Sequence, residues 1–258
     1  MIIITFIKHW ELIKHLTLRE IKARYKQSFL GFFWIVLNPF FQMLIMSFVF
    51  SHIMRIQNIG IPYPVFLYAG LLPWTFFALS LGSSMSALTE NSALIKKIYF
   101  PREILIISTI LAKGFDMLLS IGVFLALMIF FQMPFKLTML MFFPILLIQF
   151  IFTLGLSLFL SAANLLYRDV QYLFNLVLTL WFYLTPVIYA TEFFPERYRW
   201  IFKFNPMSVF INAYREVLLG SGQINWTGLG IGVLVSFAVF GIAYLFFKKM
   251  EGIFADIV

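Results

Sequence analysis

The chain has 258 residues, 62% hydrophobic and 12% charged, with a formal net charge of +8. Soluble domains run at about 45–50% apolar and about 25% charged, so a water-soluble fold is excluded and an all-α integral membrane protein is expected. With no cysteine, disulfides, iron–sulfur clusters and cysteine–zinc sites are excluded too.

The first residues, "MIIITFIKHWELIK", do not read as a cleavable signal, because Lys8 and Glu11 break the apolar run and no small-residue site follows. Over 5–26 a helix is predicted. Lys8, Glu11, His15, Arg19, Lys22 and Lys26 recur at steps of three and four, with Phe6, Trp10, Ile13 and Ile21 broadly opposite. That pattern suits an amphipathic interface helix; a simple basic tail is the alternative.

Charge-free runs then predict six membrane spans, near 31–54, 63–88, 104–131, 138–166, 170–190 and 227–247, each near the roughly 20 residues a bilayer core requires. No break in composition divides 1–258, which reads as one membrane domain. Pro39, after Asn38, should loosen the first span, and Pro186 in "YLTPVIY" the fifth. Phe33, Trp34, Phe40, Phe41, Trp181 and Tyr183 are denser than an interfacial belt requires. They suit either helix packing and lipid contact or stacking on the C–H faces of sugar rings.

Between the second and third spans lies "NSALIKKIYFPRE", 91–103, which is either a solvated loop or a handle for a water-soluble partner. Lys113 and Asp116 are the only charges deep within a span; their i,i+3 spacing lets them neutralise each other on one face. Residues 192–216 are too apolar for a wet loop and too short for another crossing pair. They read as short re-entrant helices dipping into the membrane, or as one helix lying flat on it. In the last span Gly228, Gly232 and Ser236 form a small-residue packing face.

Basic residues set the orientation. One side collects Lys8, Lys14, Arg19, Lys22, Arg24, Lys26, Lys96, Lys97, Arg102, Arg168, Lys248 and Lys249. The other collects only Arg55, Lys136, Arg197, Arg199, Lys203 and Arg215. The first side, with both termini, is expected to be cytoplasmic. The excess is a topology signal, so no nucleic-acid partner is expected. His9, His15 and His52 are scattered, no P-loop motif occurs, and the acids stand singly, which disfavours a membrane enzyme or an ion-driven transporter. No catalytic residue and no metal ligand is assigned.

Four blocks carry a resemblance. "RYKQSFLGFFWIVLNPFFQM" (24–43), "KKIYFPREIL" (96–105), "LYRDVQYLFNLVLTLWFYLTPVIY" (166–189) and "NPMSVFINAYREVLLG" (205–220) resemble, in order, the permease subunits of polysaccharide-exporting ABC transporters. These are the O-antigen, capsule and teichoic-acid group of the type-2 ABC exporters, and the O-antigen permeases are most similar. The resemblance implies a homodimer in a bacterial inner membrane, exporting lipid-linked polysaccharide. Two copies of a separate ATP-binding subunit would carry the ATP and magnesium, this chain holding no cofactor. The same architecture moving capsule or teichoic acid, or a small lipid or drug, is the alternative.

It further implies that 91–103 is a coupling helix. Asn91, Ile95, Lys96, Lys97, Ile98, Tyr99 and Phe100 would meet the ATPase, with Arg168 and Asp169 of the other cytoplasmic turn as a second contact. The aromatics Phe33, Trp34, Phe40, Phe41, Trp181 and Tyr183 would line the glycan path. Lys22, Arg24 and Lys26 would attract a lipid pyrophosphate or ordinary anionic lipid. Phe194, Pro195, Trp200, Asn205 and Pro206 would form an outer gate.

Overall fold

The computed structural model describes residues 8–25, 31, 33–53, 60–220 and 224–254. Among them every regular element is helical. The helices are α1 (Trp10–Tyr25), α2 (Phe33–Phe48, prolonged by a π-turn over Val49–Ile53), α3 (Tyr63–Glu90), α4 (Ser92–Lys97) and α5 (Glu103–Phe130). They continue with α6 (Phe142–Leu166), α7 (Asp169–Tyr183), α8 (Trp200–Phe204), α9 (Pro206–Leu219) and α10 (Trp226–Met250).

The longest apolar runs build the scaffold. α3 is buried along most of its length and packs against α2, α5, α6 and α9. Gln149 of α6 donates to the Pro73 carbonyl of α3 at 2.8 Å, and Asn164 Nδ2 donates to Met85 O at 2.8 Å, stapling the two helices at separate heights. Helices α6 and α10 approach more closely still. A Cβ placed on Gly155 would stand 2.7 Å from Phe240 Cα and 2.8 Å from its nitrogen, so this pair meets backbone to backbone. Of the predicted small-residue face, Gly232 packs on Val209 and Phe210 and Ser236 is buried; Gly228 instead donates its N–H to the Asn225 side chain that caps α10. α2 runs on as a helix through Pro39.

Against the predicted six spans, five helices among the described residues are long and apolar enough to cross a membrane. The exception is α7, expected over 170–190. It has 15 residues, a rise of about 22 Å against a hydrocarbon core of about 30 Å. It stops at Tyr183, and residues 184–190 are turns around Thr185–Pro186. The apolar run continues, but a proline there withholds a helix donor.

The region expected to be re-entrant fills the gap. Two 3₁₀ turns (Thr191–Phe193 and Glu196–Tyr198) lead into the short α8 and then α9, whose inner face is buried against α3, α6 and α10. Asn205 caps α9, Pro206 occupies its first turn, and Gly220 ends it with φ of 60°. Lys136 and Thr138, before α6, bond the Gly220 and Val217 carbonyls at 2.9 and 3.2 Å, tying the hairpin to that loop.

At the opposite end, α1 lies across the start of α5. Lys8, Glu11, His15, Arg19 and Lys22 are exposed, as the polar stripe predicts. Ile13 and Leu16 carry the buried face, whereas Trp10 is half-exposed.

Candidate functional site: the cassette face and the hairpin

The cassette is held from three directions. Arg19 Nη2 of α1 donates to Asn91 Oδ1 at 2.5 Å, and Asn91 Nδ2 donates to Ala87 O at 2.8 Å. On its far side, Lys248 Nζ of α10 bridges Glu103 Oε2 at 2.8 Å and Glu251 Oε2 at 2.7 Å. Glu251 Oε1 also accepts the Arg102 N–H at 2.9 Å, while its carbonyl accepts from the Arg102 guanidinium. Glu103 is fully buried, so Lys248 supplies the cation such a carboxylate requires.

Within this frame the expected contact residues divide. Ile95 and Phe100 turn inward and join the core, so they are not on the outward surface the sequence assigned them. Six residues of helix bury one face, and the extended Ile98–Phe100 segment returns Phe100 to the core. Lys96, Lys97 and Ile98 face out, and Tyr99 is 96% exposed. A bare tyrosine ring following two exposed lysines is an unusual surface for a segment so firmly held below. Beside it, Thr89, Glu90, Asn164, Arg168, Gln171 and Tyr172 line a cleft of about 380 Å³. Arg168 and Asp169 are exposed there, on a turn fixed by the Gln171 N–H donating to Asn164 Oδ1 at 3.2 Å. Lys22 is exposed on α1; Arg24 is helical, and Lys26 lies outside the described residues.

The aromatic candidates also divide. Phe33, Trp34 and Phe41 are exposed on α2, Phe40 is half-buried edge-on to Phe41 at 6.0 Å, and Tyr183 is exposed at the end of α7. Trp181 is different: its indole packs edge-on against Phe77 at 5.2 Å and donates to Asn205 Oδ1 at 2.8 Å.

That bond belongs to a latch. Asn205 is buried, and its Nδ2 donates to Thr185 Oγ1 at 2.8 Å and Leu184 O at 3.2 Å. Phe194 packs tilted against Tyr189 at 4.9 Å and edge-on to Phe202 at 5.1 Å, whereas Pro195 and Trp200 are exposed. The largest feature missed by sequence reasoning is Arg215. Counted among loop cations, it is 6% exposed on α9. Its guanidinium donates to Pro186 O and Val187 O, each at 2.5 Å, and lies 3.7 Å above the Phe66 ring. Tyr63 donates to Ile188 O at 2.7 Å. Leu184, Pro186, Val187 and Ile188 are carbonyls freed where α7 unwinds, and each receives a side-chain donor. Non-helical backbone at membrane depth survives only on such terms.

On the hairpin's other side, Arg199, Lys203, Asn212, Glu216 and Thr227 contribute to a cavity of about 490 Å³. Burial pushes the Glu216 carboxyl above its ordinary value, opposed by the Asn225 N–H it accepts at 3.1 Å.

Comparison with known proteins follows this geometry. The sequence profile of the ABC-2 type transporter family matches residues 11–219. An O-antigen export system permease protein, RfbA, of Klebsiella pneumoniae is 34% identical over 250 residues, 96% of this chain and 95% of that one. Its namesake in Myxococcus xanthus is 37% identical over 209 residues, 80% of this chain and 79% of that one. The polysialic acid transport protein KpsM of Escherichia coli is 24% identical over 235 residues, 88% of both chains.

Proposed function

The chain belongs to the ABC-2 type transporter family, and on that premise we propose that it is the channel-forming permease subunit of a bacterial ABC exporter of lipid-linked, O-antigen-like polysaccharide. The two O-antigen permeases share more of its sequence than the polysialic acid protein does, which favours that cargo over capsule. It sits in the inner membrane with both termini cytoplasmic, as the basic-residue asymmetry supports. Hydrolysis of ATP occurs on a separate subunit.

One observation carries the coupling part of this reading: an exposed Tyr99–Lys96–Lys97 surface standing on a cassette clamped to α1, α5 and α10. A force applied there is delivered to spans rather than absorbed by a loop. Arg168 and the cleft beside it give the ATPase a second foothold. Two copies pair along α2 and α7, whose outer faces are aromatic and aliphatic: Phe41, Ile45 and Phe48 on one, Tyr172, Leu176 and Leu180 on the other. ATP-driven closure parts these helices, their aromatics make a sugar-tolerant wall, and the hairpin gates the outer mouth. Lys22, at the inner surface, attracts the pyrophosphate of the lipid carrier.

The test is reconstitution. With a cognate ATP-binding subunit supplied, the chain should move polymer into vesicles only when both subunits and ATP are present. Tyr99→Ala should lower ATPase co-purification at least tenfold with an unchanged melting temperature, as should Lys96→Glu with Lys97→Glu. Full co-purification of these variants sinks the docking surface. Solute pumping by the chain alone on an ion gradient sinks the function.

A further inference from the structure

The cavity of about 490 Å³ behind the hairpin has no part in the coupling described above, yet its size falls within the roughly 300–1,000 Å³ of small-molecule sites. Three helices wall it. Lys203 stands on α8, Asn212 and Glu216 stand one turn apart on α9, and Thr227 opens α10. Trp200 and Trp226 are exposed at this end of the bundle, which places the cavity at the height of lipid headgroups.

Its charges are not spent on one another. Among the described residues, the Glu216 carboxylate accepts only the Asn225 N–H, at 3.1 Å, and no cation pairs with it. The Lys203 ammonium and the Asn212 amide make no hydrogen bond or ion pair to a described residue. Arg199, by contrast, is engaged by Glu196 at 3.7 Å and by the Phe194 carbonyl at 3.1 Å, so it serves as wall. A half-buried carboxylate and an ammonium therefore face one cavity from different helices, too far apart to pair. Burial opposes the charge on Glu216, and a cation brought beside it would restore that charge.

The arrangement selects the ligand. A simple anion would suit Lys203 and meet a like charge in Glu216; a simple cation would do the reverse. A ligand carrying both signs a few bonds apart gives each its complement: phosphate against Lys203, ammonium against Glu216 and the Asn212 carbonyl. A primary ammonium brings three N–H donors, whereas a quaternary one brings none. The remaining wall is apolar, with Phe202, Val209 and Leu229. Ile231 and Leu234 follow Thr227 at steps of four and three and are exposed, so an apolar track leads from the cavity along α10. A dipolar head and a hydrocarbon tail together describe a phospholipid.

We propose that this cavity is a site for an amine-bearing phospholipid, with phosphate on Lys203, ammonium on Glu216 and Asn212, and an acyl chain along Ile231 and Leu234. The site does not depend on which cargo is exported. A lipid seated there ties α8 and α9 to the head of α10.

In the experiment, the full-length chain is purified in detergent, stripped of lipid and titrated at neutral pH with phosphatidylethanolamine, phosphatidylcholine or phosphatidylglycerol, with native mass spectrometry as the readout. One phosphatidylethanolamine per chain is expected, held about tenfold more tightly than either other lipid, the worth of one charge-assisted hydrogen bond. Glu216→Gln should abolish the preference over phosphatidylglycerol, and Lys203→Met should weaken all three lipids several-fold. Lys203 is exposed and bonds to no described residue, so its variant decides should Glu216→Gln melt as a misfolded chain. Equal binding of the three lipids by the native chain, or a preference that survives both substitutions, overturns the site. Free phosphoethanolamine separates the sources: it should compete poorly, and displacement of the lipid on equal terms overturns the proposal in favour of a soluble zwitterion.

Discussion

Replacing Arg215 by methionine removes the donor that serves the unwound end of α7. Two charge-assisted hydrogen bonds, at about 1.5–3 kcal/mol each, and a desolvated ring contact of about 2 kcal/mol disappear together. Burying a guanidinium itself costs several kcal/mol, which methionine avoids. Two carbonyls, however, are left buried without a donor. The net loss should be about 3 kcal/mol, or a fall in melting temperature of about 6–12 °C for a chain of this length. Lysine keeps the charge but not the fork, so it should recover about half. Gly70→Ala approaches the same result from the other side, since its Cβ would stand 2.6 Å from Arg215 Nη2 and 3.0 Å from Val187 O. The assay is thermal unfolding in detergent, read with protease cleavage within 184–190. A methionine variant that melts within about 2 °C of the native chain, with that segment still protected, would refute the account of how α7 ends.

Lys248→Met should cost about 3–5 kcal/mol, because it leaves the buried Glu103 facing Glu251 without a cation. Adding Glu103→Gln should restore much of the loss, and a double-mutant cycle in thermal melts measures this. Gly155→Ala should cost about 1–3 kcal/mol by forcing α6 from α10, whereas the same change at Gly241, with open space around it, should cost little; paired melts compare them. Glu216 has a raised pKa through burial, so the fold favours its protonated form. Its stabilising contribution is present at low pH and is lost as pH rises from the ordinary 4.5 through the raised value. Glu216→Gln should flatten the pH dependence of melting in that window.

Much of the architecture was legible because lipid imposes a simple rule: uncharged runs of sufficient length become helices that cross. The rule misled at α7, where residues 184–190 stay as apolar as a span while Pro186 ends the helix. It could not find Arg215 either, since a positive charge near a span end looks the same in a loop as beneath a hairpin. The cassette was visible as a charged interruption, but its two faces were not. In "LIKKIYF" Ile95 and Phe100 turn inward while Ile98 and Tyr99 face out, a division set by local backbone geometry. Lys113 and Asp116 stood out as charges in the wrong solvent. That α2 would bring Asn38 and Gln42 to line one cavity with them required knowing which helices are neighbours.

The contact at Gly155 bears on where this protein can yield. Where Gly155 meets Phe240 main chain to main chain, no side chain stands between the helices to change rotamer, so they cannot slide past each other there without breaking that contact. On the coupling proposed above, α6 and α10 would serve as a stator. Any stroke delivered at the cassette must be taken up across the molecule, by the thinly packed α2 and α7, and the hinge of this machine is set by where glycine forbids movement.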